Sequence, residues 1–171
     1  MQNKTKIFGI LNITPDSFSD GGYSFMPEEA VENAFKLEEA GADVIDIGAE
    51  STRPGAAEIS DYEEILRLIP VLKKLRENKF SLPISIDTRK FNVAKKACEY
   101  GIEYLNDVSG FADERMIELV KTHSLKAVFM HSLTLPVDKG VVIGENEDVV
   151  LFLKRWAIKK IKQFEQRGVS R

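Results

Sequence analysis

Polar residues suited to binding and catalysis follow a series of short apolar runs in the sequence. They are Asn12, Thr14 and Asp16 after the first run, Thr52 and Arg53 after the second, Asp87 after the third, Asn106 after the fourth and His131 after the fifth. Amide, carboxylate, hydroxyl and guanidinium groups suit the binding of a polar small molecule and the stabilisation of an anion. The sequence shows no Ser–His–Asp arrangement, no metal-spaced histidines and no Gly-x-Gly-x-x-Gly motif. Catalysis would therefore depend on positioning and electrostatic stabilisation.

The segment Gly9–Gly22, GILNITPDSFSDGG, begins as an apolar strand and continues as a polar run. A simple turn explains Pro15 and the pair Gly21-Gly22, because Pro, Gly, Asn, Asp and Ser are turn residues. A turn explains poorly why Phe18, a large aromatic residue, lies in the middle of the run. A turn and a binding loop are therefore both open for this segment.

Two other clusters favour binding over a purely structural role. Residues 50–54, Glu-Ser-Thr-Arg-Pro, could cap a helix and carry a solvated arginine. The fork of donors on Arg53 and the hydroxyl of Thr52 are better suited to an anion clamp. Asp87 and Asn106 close consecutive strands and could form a polar network at a rim. As a carboxylate and a carboxamide facing one cavity, they are interpreted as partners for an amino-substituted heterocycle.

Composition restricts the classes of protein to which the chain can belong. Its 171 residues fit one domain, residues 1–171, and a net charge of −3 argues against a nucleic-acid binder. The single cysteine, Cys98, excludes an internal disulfide, fits a reducing cytoplasm and is interpreted as a packing residue. With two histidines in the chain, a Cys/His metal site is not expected. Because no apolar run approaches ~18 residues, a cytoplasmic protein without a membrane span is predicted.

Five apolar runs alternate with five helical patterns. The predicted strands are 7–11, 44–47, 83–86, 103–105 and 127–130, and the predicted helices are 27–41, 60–75, 92–100, 113–123 and 147–167. Ser60 and Glu63 form a capping box at the start of the second helix, and Pro70 is expected to kink or split that helix. The alternation predicts βαβ units and a parallel sheet, either an open doubly wound sheet or a (β/α)8 barrel.

The barrel is favoured because all five strands carry polar groups at their carboxyl ends. In an open sheet, only the strands beside the switch point need such groups. A full barrel usually needs ~250 residues. The chain is therefore expected to be an α/β protein of parallel TIM-barrel type, cut short after its fifth helix, with about the first five βα units. The unpaired edges of its first and fifth strands are expected to invite association.

Four motifs, in this order and spacing, closely resemble dihydropteroate synthase of bacterial folate biosynthesis. They are GILNITPDSFSDGG, GADVIDIGAESTRPGA, ISIDTRK and LNDVSG, and the match covers nearly the whole chain. That family is a (β/α)8-barrel transferase that joins 6-hydroxymethyl-7,8-dihydropterin pyrophosphate to p-aminobenzoate, releases pyrophosphate and uses Mg2+. The resemblance implies the same fold, reaction and cofactor here. It also implies small-molecule partners and a pocket at which sulfonamides compete, and it leaves a homodimer open.

Carried over motif by motif, the resemblance implies catalytic roles for Asn12, Arg53 and Asp87. Asn12 would bind the metal–pyrophosphate unit, and Arg53 with Thr52 would contact phosphate or the second substrate. Asp87 and Asn106 would hold the pterin edge at the barrel floor. Pyrophosphate would leave, the dihydropterin ring would stabilise the resulting cation, and the arylamine would attack. No protein nucleophile is required for that sequence of steps.

The resemblance also implies a closing lid and a pocket for the second substrate. The substrate-binding residues on these parts would be Thr14, Asp16, Phe18, Thr52 and Pro54, with Met130 helping to form the floor. The first two loops would close over the site and exclude water, which would destroy a cationic intermediate.

Two departures from the family pattern and two rival interpretations accompany the resemblance. After Met130-His131 the chain reads Ser-Leu-Thr-Leu-Pro, where the family usually has a Gly-containing, Met-rich stretch. The family's later elements are an Asp after strand six, a Lys after strand seven and an Arg-x-His after strand eight. They are not among these 171 residues, so this chain alone is expected to have little or no synthase activity.

The rivals are a methyltetrahydrofolate-binding methyltransferase domain and a non-catalytic pterin-binding fragment.

Overall fold

Five strands and five helices alternate in the computed structural model, which describes residues 5–14, 26–51, 57–135, 138 and 140–170. The strands are β1 (Phe8–Asn12), β2 (Val44–Gly48), β3 (Ile84–Asp87), β4 (Tyr104–Asp107) and β5 (Lys126–Phe129). The helices are α1 (Met26–Glu39), α2 (Asp61–Glu77), α3 (Phe91–Cys98), α4 (Glu114–Thr122) and α5 (Val149–Gln166).

The strands form one parallel sheet in which the order in space is the order in sequence, β1-β2-β3-β4-β5. Each neighbouring pair is parallel, and the order never reverses to create a switch point. Right-handed crossovers between such strands place the helices on the same side of the sheet. A (β/α)8 barrel is wound in this way, so the predicted barrel-type fold is confirmed over its first five βα units.

The side of the sheet that faces the helices is apolar and buried. Alternate strand residues point to this side, as the geometry of a strand requires. The residues with no exposed surface there are Ile45, Ile47, Ile84, Ile86 and Leu105. They share one core with Leu68, Leu72 and Leu75 of α2. Each fully buried aliphatic side chain contributes about 1.5–3 kcal/mol, so this core holds the strand ends in fixed positions.

The opposite side of the sheet carries the polar strand residues. Asp46 of β2 pairs in register with Ser85 of β3, and Asp87 of β3 pairs with Asn106 of β4. Partners in a parallel pair project from the same face. The four side chains therefore lie in two adjacent rows, with Asp87 and Asn106 nearer the carboxyl ends of the strands.

Aromatic and basic side chains occupy the amino end of this inner face. The Tyr104 ring packs edge-to-face on Phe8, with 5.3 Å between the ring centroids. Lys6 Nζ donates to the Tyr104 hydroxyl at 3.0 Å, and this bond lowers the pKa of the Tyr104 phenol. These side chains therefore cover the amino end of the polar rows.

Helix α2 begins as predicted and passes through its proline without a break. The Ser60 side chain accepts a hydrogen bond from the Glu63 backbone N–H at 3.1 Å, which confirms the predicted cap. Pro70 lies inside the helix, which continues to Glu77, so the helix is not split at Pro70, and the kink stays a prediction. The carbonyl that loses its donor belongs to Leu66. Since Leu66 is 51% exposed, water can satisfy that carbonyl.

The prediction that Cys98 is a packing residue is confirmed. Cys98 is buried in the core, where burial raises the pKa of its thiol, and His123 is exposed after α4. Helix α5 packs its aromatic side chains on β5, with Trp156 and Phe164 centred 5.7 and 5.8 Å from the Phe129 ring. No helix in the described part of the chain is long and apolar enough to cross a membrane.

Candidate functional site

The carboxyl ends of β1, β3 and β4 bring three of the predicted site residues together. Asn12 ends β1, Asp87 ends β3, and Asn106 pairs with Asp87. Gly48 ends β2 between them and pairs with both Asn12 and Asp87. A Cβ atom on Gly48 would lie 3.7 Å from Asn12 Oδ1 and 3.7 Å from Asp87 Cβ. Gly48 therefore leaves the space between these two side chains open to a ligand.

One row deeper, Asp46 contacts Asn106. Asn106 Nδ2 donates to Asp46 Oδ2 at 2.9 Å, and the two residues are only 8% and 4% exposed. Among the described residues, Asp46 Oδ1, Asp87 Oδ1 and Asn106 Oδ1 are buried and have no hydrogen-bond partner. Buried polar atoms in folded proteins normally have partners. These three acceptor oxygens therefore suit a ligand that presents several N–H donors.

The electrostatic environment of Asp87 is that of a functional carboxyl group. Burial raises the pKa of Asp87 to about 7, and the charge of Asp46 contributes next, followed by Glu64, Asp107 and Glu50. A carboxyl group whose pKa lies near neutrality, placed in a cleft, indicates a functional site. Near neutral pH, Asp87 can therefore gain or lose a proton as a ligand binds.

Asp107, beside Asn106 in the sequence, has a different role. Its side chain accepts hydrogen bonds from the backbone N–H groups of Ser109 at 2.7 Å and Phe111 at 3.0 Å. Burial raises the pKa of Asp107, and these hydrogen bonds oppose that rise. Asp107 therefore shapes the turn after β4, and Asn106 is the residue of this motif that faces the site.

A buried ion cluster connects α2, α3 and the segment after β2. Lys90 Nζ lies 2.8 Å from Glu50 Oε1 and 2.9 Å from Glu64 Oε2, and it donates to the Ile59 carbonyl oxygen at 2.7 Å. Sequence reasoning missed Lys90 and Glu64. The available signal was that Glu64 lies on the apolar stripe of α2, four residues before the buried Leu68.

The other described candidates lie at the ends of the same strands. Thr14 follows β1 and is half-buried. Met130 follows β5 and is half-buried, and its backbone N–H donates to the Asp107 carbonyl oxygen at 3.2 Å, which keeps the chain beside β4. The His131 ring packs edge-to-face on Trp156 at 5.0 Å between centroids. His131 is thus a packing residue in this structure.

Five predicted residues lie outside the part of the chain that the structure describes: Asp16, Phe18, Thr52, Arg53 and Pro54. The anion clamp and the pocket for a second substrate therefore stay predictions.

Asn12 is the described candidate that suits the predicted metal. Within the described residues, no group of three or more His, Cys, Asp or Glu side chains could hold a metal ion. Mg2+ usually binds through one or two protein oxygens together with substrate phosphates. Asn12 is exposed. Its Oδ1 atom and the Asp87 Cβ atom each lie 3.7 Å from the position that a Cβ atom on Gly48 would occupy. This donor fits a Mg2+ ion that arrives with a phosphorylated ligand.

Asp46 is another residue that sequence reasoning missed. It lies in the middle of Val44–Gly48, a strand whose five residues are all buried. A buried carboxylate requires a polar partner. A single Asp inside an otherwise apolar strand was therefore the signal that could have identified it.

Fold and site together define a parallel βα-barrel protein in which the described residues place a cluster of buried acceptor oxygens near the carboxyl ends of the strands. Residues 8–171 match the family of pterin binding enzymes, and the chain belongs to that family. It is 37% identical over 165 residues to the dihydropteroate synthase of Escherichia coli strain K12, an alignment that covers 96% of this chain and 58% of that protein.

Solved structures give the same result. The dihydropteroate synthase of Clostridium difficile, determined in the presence of pteroic acid, superposes with a TM-score of 0.87 and 37% identity over 98% of this chain and 61% of that one. The Xanthomonas albilineans enzyme with 4-aminobenzoic acid gives a TM-score of 0.86 and 36% identity over 98% of this chain and 59% of that one. The resemblance indicated by the four motifs is confirmed. The chain spans 58% to 61% of the length of these three relatives.

Proposed function

We propose that this chain forms the pterin-binding part of a dihydropteroate synthase. The whole protein would condense 6-hydroxymethyl-7,8-dihydropterin pyrophosphate with p-aminobenzoate to give 7,8-dihydropteroate and pyrophosphate. The observation that carries the proposal is the pair Asp87 and Asn106 at the carboxyl edge of the sheet, each with a buried oxygen that has no hydrogen-bond partner among the described residues. A pterin edge carries amino and ring N–H groups, which complement such oxygens. The relatives solved with pteroic acid and with 4-aminobenzoic acid support the proposal.

In the proposed reaction, the described residues bind and orient the heterocycle. Asp87 and Asn106 accept hydrogen bonds from the pterin and fix the position of its methylene carbon. The bond from that carbon to the pyrophosphate oxygen breaks, and its electron pair leaves with pyrophosphate. Ionised Asp87 stabilises the positive charge that develops on the ring. The p-aminobenzoate nitrogen then forms the new C–N bond and loses a proton, so no protein nucleophile is needed.

The remaining assignments follow from the family and are part of the proposal. Asn12 would hold Mg2+ together with pyrophosphate oxygens, and the ion would supply charge neutralisation on the leaving group. Arg53 with Thr52 would contact phosphate or the second substrate. The p-aminobenzoate pocket, where sulfonamides would compete, would include Asp16, Phe18, Thr52 and Pro54. A cytoplasmic location is part of the same proposal, supported by the single cysteine.

A calorimetric titration of the 171-residue chain with the pterin pyrophosphate and Mg2+ tests the proposal. Wild type should bind, and Asp87→Asn should lose on the order of tenfold or more in affinity, because the variant replaces an acceptor with a group that also donates. Glu145→Gln removes one exposed charge from a turn before α5 and should bind like wild type. Circular dichroism establishes that each chain is folded.

The outcomes separate the alternatives. Binding without turnover by this chain would fit the expectation for a pterin-binding fragment, and turnover would then be sought in a longer protein that contains it. No binding by a folded wild-type chain would contradict the proposal that these five βα units form the pterin floor.

A further inference from the structure

We propose that Asp46 is a positioning residue that holds the Asn106 amide with its oxygen facing the ligand, so that the site selects ligands that present N–H donors. This inference rests on the proposed function and deepens it, because it names the residue that decides which edge of Asn106 the pterin meets.

The argument begins with the chemistry of the two side chains. A carboxylate only accepts hydrogen bonds, whereas a carboxamide has a donating and an accepting edge. Asp46 Oδ2 lies 2.9 Å from the Asn106 nitrogen, so the donating edge of the amide is directed at Asp46. The Asn106 Oδ1 atom is then left as a buried acceptor without a partner among the described residues. A carboxamide in place of Asp46 could bond to either edge and would not fix the orientation.

The contact also spans the sheet. Asp46 belongs to β2 and Asn106 to β4, and β3 runs between them. Neighbouring strands lie about 4.8 Å apart, so the two side chains meet over β3 on the concave inner face. Ser85 of β3 is in register with Asp46 and is fully buried, but its Oγ has no described partner. The Asp46–Asn106 bond therefore joins the two rows of buried polar groups, and Ser85, which shares the row of Asp46, provides a matched control.

Asp46 also acts on the neighbouring acceptor, Asp87. The charge of Asp46 is the largest contribution to the raised pKa of Asp87 after burial, ahead of Glu64, Asp107 and Glu50. Removing this charge should lower the pKa of Asp87. The pH dependence of pterin binding should then move to lower pH, whereas Ser85→Ala, which alters packing in the neighbouring strand without removing a charge, should not move it.

The first experiment is NMR spectroscopy of the isotopically labelled, ligand-free wild-type chain. We expect one proton of the Asn106 side-chain NH2 group to exchange slowly with water, because it is hydrogen-bonded to a buried carboxylate. Rapid exchange of both protons would overturn the inference, and this measurement needs no variant that might fail to fold. The signal is identified by its loss in Asn106→Ala.

The second experiment compares Asp46→Asn with Ser85→Ala by calorimetric titration with 6-hydroxymethylpterin across the pH range. Asp46→Asn should weaken binding by on the order of tenfold and move the pH midpoint downward. Ser85→Ala should leave both unchanged. In a chain that already carries Asn106→Ala, Asp46→Asn should cause little further loss of affinity. The reason is that Asp46 affects affinity through the Asn106 side-chain amide, which that chain lacks.

The outcomes distinguish this inference from the proposed function. If wild type binds the pterin and Asp46→Asn behaves like Ser85→Ala, the role of Asp46 is wrong and the pterin site stands. If wild type does not bind the pterin, the proposed function fails, and the exchange measurement still decides whether Asp46 fixes the amide.

Discussion

Replacing Asp87 with asparagine is expected to stabilise the folded chain at alkaline pH while it weakens pterin binding. In the folded chain, burial and the charge of Asp46 raise the pKa of Asp87 from 3.8 to about 7. A carboxyl group with a raised pKa favours the folded state fully at pH values below 3.8. That contribution is lost as the pH rises through 7, because the buried group must then ionise. Asparagine in its place has no charge to bury at any pH.

The magnitude follows from the two pKa values of Asp87. A difference of about 3 pH units at 1.36 kcal/mol per unit gives on the order of 4 kcal/mol for the full loss. Between pH 5.5 and pH 8.5, the free energy of unfolding changes through Asp87 only below about pH 7, because above its folded-state pKa the group is ionised in both states. Wild type should therefore lose about 2 kcal/mol more free energy of unfolding over that range than Asp87→Asn does.

Urea unfolding at pH 5.5 and pH 8.5, followed by circular dichroism, measures this difference. Glu145→Gln serves as the control, because it removes one carboxylate from an exposed turn and should follow wild type at both pH values. If wild type and Asp87→Asn change in parallel between the two pH values, Asp87 does not carry the buried charge that the structure assigns to it.

Three further predictions concern binding and stability. Because ionised Asp87 is the acceptor, the affinity of wild type for 6-hydroxymethylpterin should fall below about pH 7 by up to tenfold per pH unit in calorimetry; constant affinity down to pH 5.5 would contradict this role. Ser60→Ala should lower the free energy of unfolding by about 1 kcal/mol through loss of the α2 cap, and an unchanged urea midpoint would argue against that cap. Lys90→Met should cost about 3–5 kcal/mol in the same assay, because the buried Glu64 carboxylate loses its cation and Glu50 keeps the more distant Arg89. The matched Lys96→Met change breaks an exposed pair and should cost at most about 1 kcal/mol, so equal effects would contradict the importance of burial.

The alternation of strands and helices could be predicted because the apolar side of each element faces one core. Among the strands, the predicted bounds differ most at β4, which was expected at 103–105 and is observed at Tyr104–Asp107. Asn106 and Asp107 do not look like strand residues in isolation. They extend β4 because its backbone pairs with β3 and β5 on either side. Pairing between distant segments thus overrides local propensity at the strand ends, where the site lies.

Part of the site could be predicted for a similar reason. Asp87 and Asn106 stand at the carboxyl ends of their strands, where parallel sheets place ligands, so position alone identified them. Asp46 and Lys90 were missed because their roles arise from contacts across the fold. Asp46 is 60 residues from Asn106 in the sequence, and Lys90 is 40 residues from Glu50. A periodic pattern reports which face a residue occupies but not which distant side chain it meets.

The acidic floor of the site, formed by Asp46, Asp87 and Asn106, determines in which orientation the proposed substrate can bind. Asp46, Asp87 and the oxygen of Asn106 present acceptors and negative charge, which attract the N–H edge of a heterocycle and repel a pyrophosphate. Under the proposed function, the ring must therefore enter first, with its phosphates directed away from the floor and toward Asn12 at the end of β1. The bond that breaks then lies between the two ends. As it breaks, the positive charge left on the ring is next to the carboxylates, and the negative charge of the leaving group is farther from them. The same acidic floor that binds the heterocycle thus favours the separation of charge that the reaction requires.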